Sequence, residues 1–119
     1  MKERNAMPLV KHSASLQHAL TVMTEDGQGV VGVCDSRGAL VGIITDGDVR
    51  RFILKHHSIG AKKAKEAMTK NPKTIHANET AKDALLFMEQ YRITSVFVID
   101  DVNKKPIGMI HTHDILGFI

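Results

Sequence analysis

A segment that occurs twice constrains this chain more than any other feature of its sequence. Residues 40–53 align with residues 106–119, so that Gly42 meets Gly108, Asp48 meets Asp114, and Phe52-Ile53 meets Phe118-Ile119 at a spacing of 66. Upstream the match continues at a spacing of 65, with Ala19-Leu20 against Ala84-Leu85, Met23 against Met88, Val31 against Val96 and Asp35 against Asp100. One residue added near positions 103–105 accounts for the change. Chance matches would not keep register over so long a stretch, so the fold must be two copies of one unit.

Each copy reads in the same order. In the second, Ala81, Ala84, Leu85 and Met88 recur at helical spacing and predict a helix over residues 81–91. Thr80 with Asp83 three residues later is a capping-box pattern at its start. The first copy places Ser15 before Leu16, Ala19, Leu20 and Met23. An apolar strand follows (30–34 and 95–99), then a polar turn, a second strand (40–44 and 107–110) and a closing helix from near Asp46 or Thr112. The turns predict antiparallel hairpins. Short extended segments precede each unit at 8–10 and 73–75.

The fold class is therefore α+β, with β-α-β-β-α written twice. A half of roughly 50–60 residues buries too little surface to stand alone. The two halves are expected to pack through their sheets about a pseudo-twofold axis. The expected divisions are 1–57, a linker at 58–67, and 68–119. Within the linker, residues 64–68 predict a short helix, and Lys62, Lys63 and Lys65 read as a solvated face.

Composition bounds the function. Aromatic residues are 4% of the chain and Trp is absent, so the core is built from aliphatic side chains. The net charge of +3 suits an anionic small ligand but is too weak to imply nucleic acid. Cys34, the only cysteine, lies in an apolar run and reads as a small core residue. No apolar run reaches the ~18 residues of a membrane span, and no leader is apparent. A cytoplasmic location without membrane partners is the expectation.

The doubled β-α-β-β-α order, with Gly-x-x-Thr-x-x-Asp at Gly42, Thr45 and Asp48, resembles the CBS domain. The resemblance covers nearly the whole chain. It implies a paired, non-catalytic regulatory sensor, often of adenosine or other nucleotides, and a homodimer. A narrower resemblance runs through residues 42–51, 68–75, Ile93-Thr94-Ser95 and 110–114. It is to the C-terminal half of arabinose-5-phosphate isomerases, whose catalysis resides in a separate N-terminal sugar isomerase domain. Residues 45–51 also resemble CBS pairs attached to sugar nucleotidyltransferases; the His111-x-His113-Asp114 tract favours the isomerases.

The resemblance gives candidate ligand-binding residues. The Asp48 carboxylate would accept the two hydroxyls of a ribose, and Thr45 would bond a phosphate or ribose oxygen at a helix start. The same two residues also fit a capping box that satisfies only backbone groups. Asp114 carries the same assignment in the second copy. There His111 replaces Thr45, and with His113 it could bond a phosphate or carboxylate, hold a metal, or hold nothing. A pair of histidines falls short of a zinc site, so no metal is expected. Arg50 and Arg51 suit phosphate recognition, although Arg50 stands four residues from Asp46 and could pair with it instead. Thr74 and Ile75, with Leu9 and Val10, would contribute backbone groups. Thr94 and Ser95 could reach a polar ligand group. Gly32 against Phe97 makes the two repeats unequal in volume. No nucleophile with a base and an orienting partner is present, so no catalytic residue is expected. Candidate ligands are CMP-Kdo, CMP, AMP, ADP or ATP; the rival readings are a ligand-free dimerisation module and a metal switch at His111 and His113.

Overall fold

The computed structural model describes residues 6–116. Positions 1–5 of the first expected repeat and 117–119 of the second lie outside the described residues. The chain divides into two compact units, Pro8–Pro72 and a second built on the residues from Lys73 onward. The first comprises β1 (Leu9–Lys11), α1 (Leu16–Asp26), β2 (Val30–Cys34), β3 (Leu40–Thr45), α2 (Asp46–His56), α3 (Ala64–Ala67) and β4 (Thr69–Lys70). The second comprises β5 (Thr74–His76), α4 (Ala81–Tyr91), β6 (Ser95–Ile99), β7 (Pro106–His111) and α5 (Thr112–Leu116).

Both sheets are mixed, as the α+β reading requires. In the first, β1 runs parallel to β2, and β2, β3 and β4 are antiparallel in sequence. In the second, β5 is parallel to β6 and β6 antiparallel to β7. The parallel step in each is a crossover through one helix, α1 or α4, which covers one face of its own sheet. Leu16, Ala19 and Met23 of α1 pack against Val10, Val31, Val33 and Ile44. Ala84 and Met88 of α4 pack against Ile75, Val96 and Val98. Fully burying one such aliphatic side chain contributes roughly 1.5–3 kcal/mol.

The helix ends follow local chemistry. The Ser15 hydroxyl accepts from the His18 N–H at 3.0 Å, and α1 stops at Gly27, whose φ of 81° is left-handed. Thr80 and Asp83 form the anticipated reciprocal box at the start of α4. The inserted residue is located as well. Asp35 N–H closes its hairpin on the Ala39 carbonyl, whereas Asp100 N–H closes on Lys105, one residue further. A register shift follows Val33 in one hairpin and Val98 in the other, the same place in each copy.

Two features add to the sequence expectations. The segment at 58–67 packs onto the first unit: Ala64 is fully buried in its core, Leu16 N–H donates to the Lys62 carbonyl, and Ala64 N–H donates to Ala14. Beyond α3, β4 adds a fourth strand to the first sheet, with Thr69 opposite Ile43 and Lys70 opposite Gly42. Gly42 allows this approach, because a Cβ there would lie 2.9 Å from the Thr69 carbonyl oxygen.

Candidate functional site

Each repeat turns from its last hairpin strand into a helix through a three-residue corner. In the first, Thr45 caps α2: its hydroxyl accepts from the Asp48 N–H at 3.3 Å, and Asp48 Oδ2 accepts from the Thr45 N–H at 2.9 Å. The same Oδ2 takes the Thr45 hydroxyl at 3.0 Å. The other oxygen, Oδ1, accepts from Arg51 Nη2 at 2.8 Å and from Thr69 Oγ1 at 2.7 Å. Asp48 is thus a buried carboxylate, 7% exposed, with four side-chain or backbone donors distributed over both oxygens. Burial pushes its pKa up, but the bonds from Thr69, the Thr45 N–H, Arg51 and the Thr45 hydroxyl outweigh burial and hold it below 3.8.

The second corner repeats the backbone arrangement with a different cap. Asp114 Oδ2 accepts from the His111 N–H at 2.8 Å, as Asp48 does from Thr45. His111 Nδ1 accepts from the His113 N–H at 3.1 Å, so the imidazole caps α5 where a hydroxyl caps α2. The two histidine rings lie 4.4 Å apart, centroid to centroid. No group of three or more His, Cys, Asp or Glu among the described residues could hold a metal ion.

The remaining candidates fall into two sets. Ser95 pairs with His111 across the β6–β7 ladder, and Thr74 pairs with Phe97. Directly opposed residues share a face, so Thr74, Ser95 and His111 lie on the face of the second sheet opposite α4. The Thr94 carbonyl accepts from the Thr112 N–H at 2.9 Å and ties β6 to the start of α5. Ile75 is 2% exposed and belongs to the α4-side core. In the first unit, Arg51 joins Asp48. Arg50 is exposed, and among the described residues it forms no ion pair with Asp46. The i,i+3 spacing of Arg51 brings it back over Asp48, whereas Arg50 points along another face of the helix.

Sequence reasoning missed Thr69. It lies 21 residues from Asp48, and only the addition of β4 beside β3 brings its hydroxyl within reach. The signal available was Gly42, a strand position with no side chain where another backbone approaches.

The matched caps and paired hairpins define a unit that comparison with known proteins identifies. A family model described as the CBS domain matches residues 4–55 and 64–119. The chain belongs to the CBS domain family. Among relatives of this CBS pair is the arabinose 5-phosphate isomerase KdsD of Francisella tularensis, 35% identical over 116 residues, which are 98% of this chain and 35% of that protein. The CBS pair spans about a third of the length of such relatives. The CBS domain pair of protein MJ0100, solved in complex with 5′-methylthioadenosine and S-adenosyl-L-methionine, superposes with a TM-score of 0.75 at 29% identity, covering 93% of this chain and 86% of that one. CBSX2 from Arabidopsis thaliana, solved in complex with AMP, gives a TM-score of 0.81 at 23% identity, covering 99% and 90%; it shares the fold.

Proposed function

We propose that this CBS pair is a ligand-binding regulatory module of a longer protein, which senses a nucleotide or nucleotide sugar and biases an attached arabinose-5-phosphate isomerase domain. The observation that carries the reading is the similarity to KdsD across 98% of this chain but only 35% of the relative, which is how a regulatory part of a larger enzyme would align. The adenosyl compounds bound by the MJ0100 pair support a nucleotide-like ligand. Ligand hydroxyls would be accepted by a carboxylate at a strand-to-helix corner, the chemistry a vicinal diol requires. A ligand with unequal affinity for two arrangements of the pair would shift their populations and so regulate a neighbouring domain. The step that arabinose-5-phosphate isomerases catalyse feeds synthesis of the sugar acid Kdo, so CMP-Kdo would be the feedback ligand, with AMP, ADP or ATP as the general alternatives.

A thermal-shift panel of CMP-Kdo, CMP, AMP, ADP, ATP and S-adenosylmethionine tests this. Binding to the folded state alone stabilises by roughly 2.7 kcal/mol at a hundredfold excess over Kd. A shift with cytidine compounds supports feedback in Kdo synthesis. A shift with adenine compounds keeps the sensor and removes the Kdo-specific ligand. No shift with any compound rejects the sensor.

A second reading is homodimerisation. It rests on apolar side chains left exposed on helices: Leu54 at 75% and Ile53 at 42% on α2, and Leu86 at 53% on α4.

A further inference from the structure

The two repeats carry different chemistry at equivalent corners. On the sheet face opposite the crossover helix, the first repeat places Leu9, Val30 and Thr45, and the second places Thr74, Ser95 and His111. Two aliphatic positions of the first copy are thus hydroxyls in the second. Ser95 Oγ is shut off from water and has no hydrogen-bond partner among the described residues. A buried hydroxyl left in this way destabilises the fold. Gln28 Oε1 is unpartnered too, but it stands on the loop before β2 at the end of a side chain long enough to turn. Ser95 has one rotatable bond, and its backbone is fixed opposite His111 in the ladder.

The carboxylates differ in the same direction. Both Asp48 oxygens are taken, Oδ1 by Arg51 and Thr69 and Oδ2 by Thr45. A diol could reach Asp48 only by displacing one of these donors, of which Thr69 fastens β4 to α2. Asp114 is half-buried, and the His111 N–H at Oδ2 is its one hydrogen bond among the described residues. At the position equivalent to Arg51 the sequence has Gly117, which has no side chain to supply a guanidinium.

Building on the sensor reading, we infer that the second repeat alone takes the ligand. A hydroxyl-bearing nucleotide is held there by Asp114, with Ser95 completing its missing hydrogen bond on the ligand and Thr74 on the same face. In the first repeat Asp48 is a positioning residue that holds the sheet edge together.

Titration calorimetry of the full chain with AMP, CMP and S-adenosylmethionine tests the assignment. The expected stoichiometry is one ligand per chain. Ser95→Val installs the residue that the first repeat has at Val30; it is expected to weaken binding by about tenfold or more while raising Tm, because the orphaned hydroxyl is removed. A fall in affinity with a rise in Tm cannot come from misfolding. Asp114→Asn is expected to weaken binding by a similar factor, and Thr69→Val to lower Tm while changing affinity less than about threefold. Two ligands per chain, or binding that survives Ser95→Val and Asp114→Asn but is lost in Thr69→Val, overturns the assignment and leaves the sensor intact. Absence of binding by all three probes in the wild type overturns both.

Discussion

Asp48 carries a structural role beside the ligand chemistry that its motif suggests. A carboxylate can accept about four hydrogen bonds, and within the first unit Asp48 accepts four. They join three elements: the end of β3, the second turn of α2 and β4. Arg51 is 71% exposed, so its ion pair adds little, about 0–1 kcal/mol. Most of the stabilisation comes from the hydroxyl and N–H donors. Asp48→Asn is expected to lower stability at neutral pH by about 1–3 kcal/mol. The pH dependence follows from the depressed pKa. The folded state holds Asp48 below 3.8, so its contribution is complete above that value and is lost as pH falls through the lower, folded value. Denaturant titrations should therefore show wild type and Asp48→Asn converging below about pH 3.8 and diverging to a constant gap above it. A gap that persists unchanged into acid would mean that the charge on Asp48 is not what stabilises β4. The sequence displays Thr45 and Asp48 as a capping pair three residues apart; it could not display Thr69, because a side-chain bond across 21 residues exists only once the sheet has formed.

At the scale of elements, local signals carried most of the fold. The helix over residues 81–91, the hairpins and the inserted turn residue were all legible, because spacing, caps and turn residues act within a few positions. β4 was not. Two residues are too short for a period-two pattern, and Thr69 and Lys70 are both exposed. What fixes them is their partner, β3 at Gly42 and Ile43. The repeat also supplies an internal control for helix termination. α1 ends at Gly27 with φ 81°, and α4 ends at the equivalent position with Arg92 at φ 55°. Around Arg92 the Ile93 N–H donates to the Met88 carbonyl and the Arg92 N–H to Glu89, the Schellman pattern that prefers glycine at this position. A residue with a Cβ in the left-handed region costs about 1 kcal/mol or more. Arg92→Gly is expected to stabilise the chain by about 1 kcal/mol in denaturant unfolding, less the entropy glycine adds to the unfolded state. An unchanged or lowered midpoint would show that the Arg92 side chain makes a compensating contribution.

For the whole molecule, the sequence repeat foretold two similar units, and the structure gives each its own sheet, crossover helix and core. Similar units need not do similar work, and the differences concentrate where a copy faces something other than its own core. On α2 the buried stripe is carried by Asp48 and Phe52, and Ile53 and Leu54 stand beside it at 42% and 75% exposure. Lone exposed aliphatics are common on protein surfaces, so Leu54 alone would imply little. Ile53 is a second exposed aliphatic on the same helix, and a closed dimer is the usual way exposed apolar surface is covered when the partner is another copy. Leu54→Glu puts a charge at the more exposed of the two positions and removes no core contact. Sedimentation equilibrium of the wild type should give a dimer, and Leu54→Glu should weaken association by at least about tenfold without lowering the midpoint of denaturant unfolding of the monomer. If the wild type sediments as a monomer at every concentration, this surface serves another contact, and any nucleotide response must be transmitted within a single chain. If Leu54→Glu remains a dimer, the interface lies on other residues, and the two helices exposing apolar side chains would be separated by testing Leu86 on α4 in the same way.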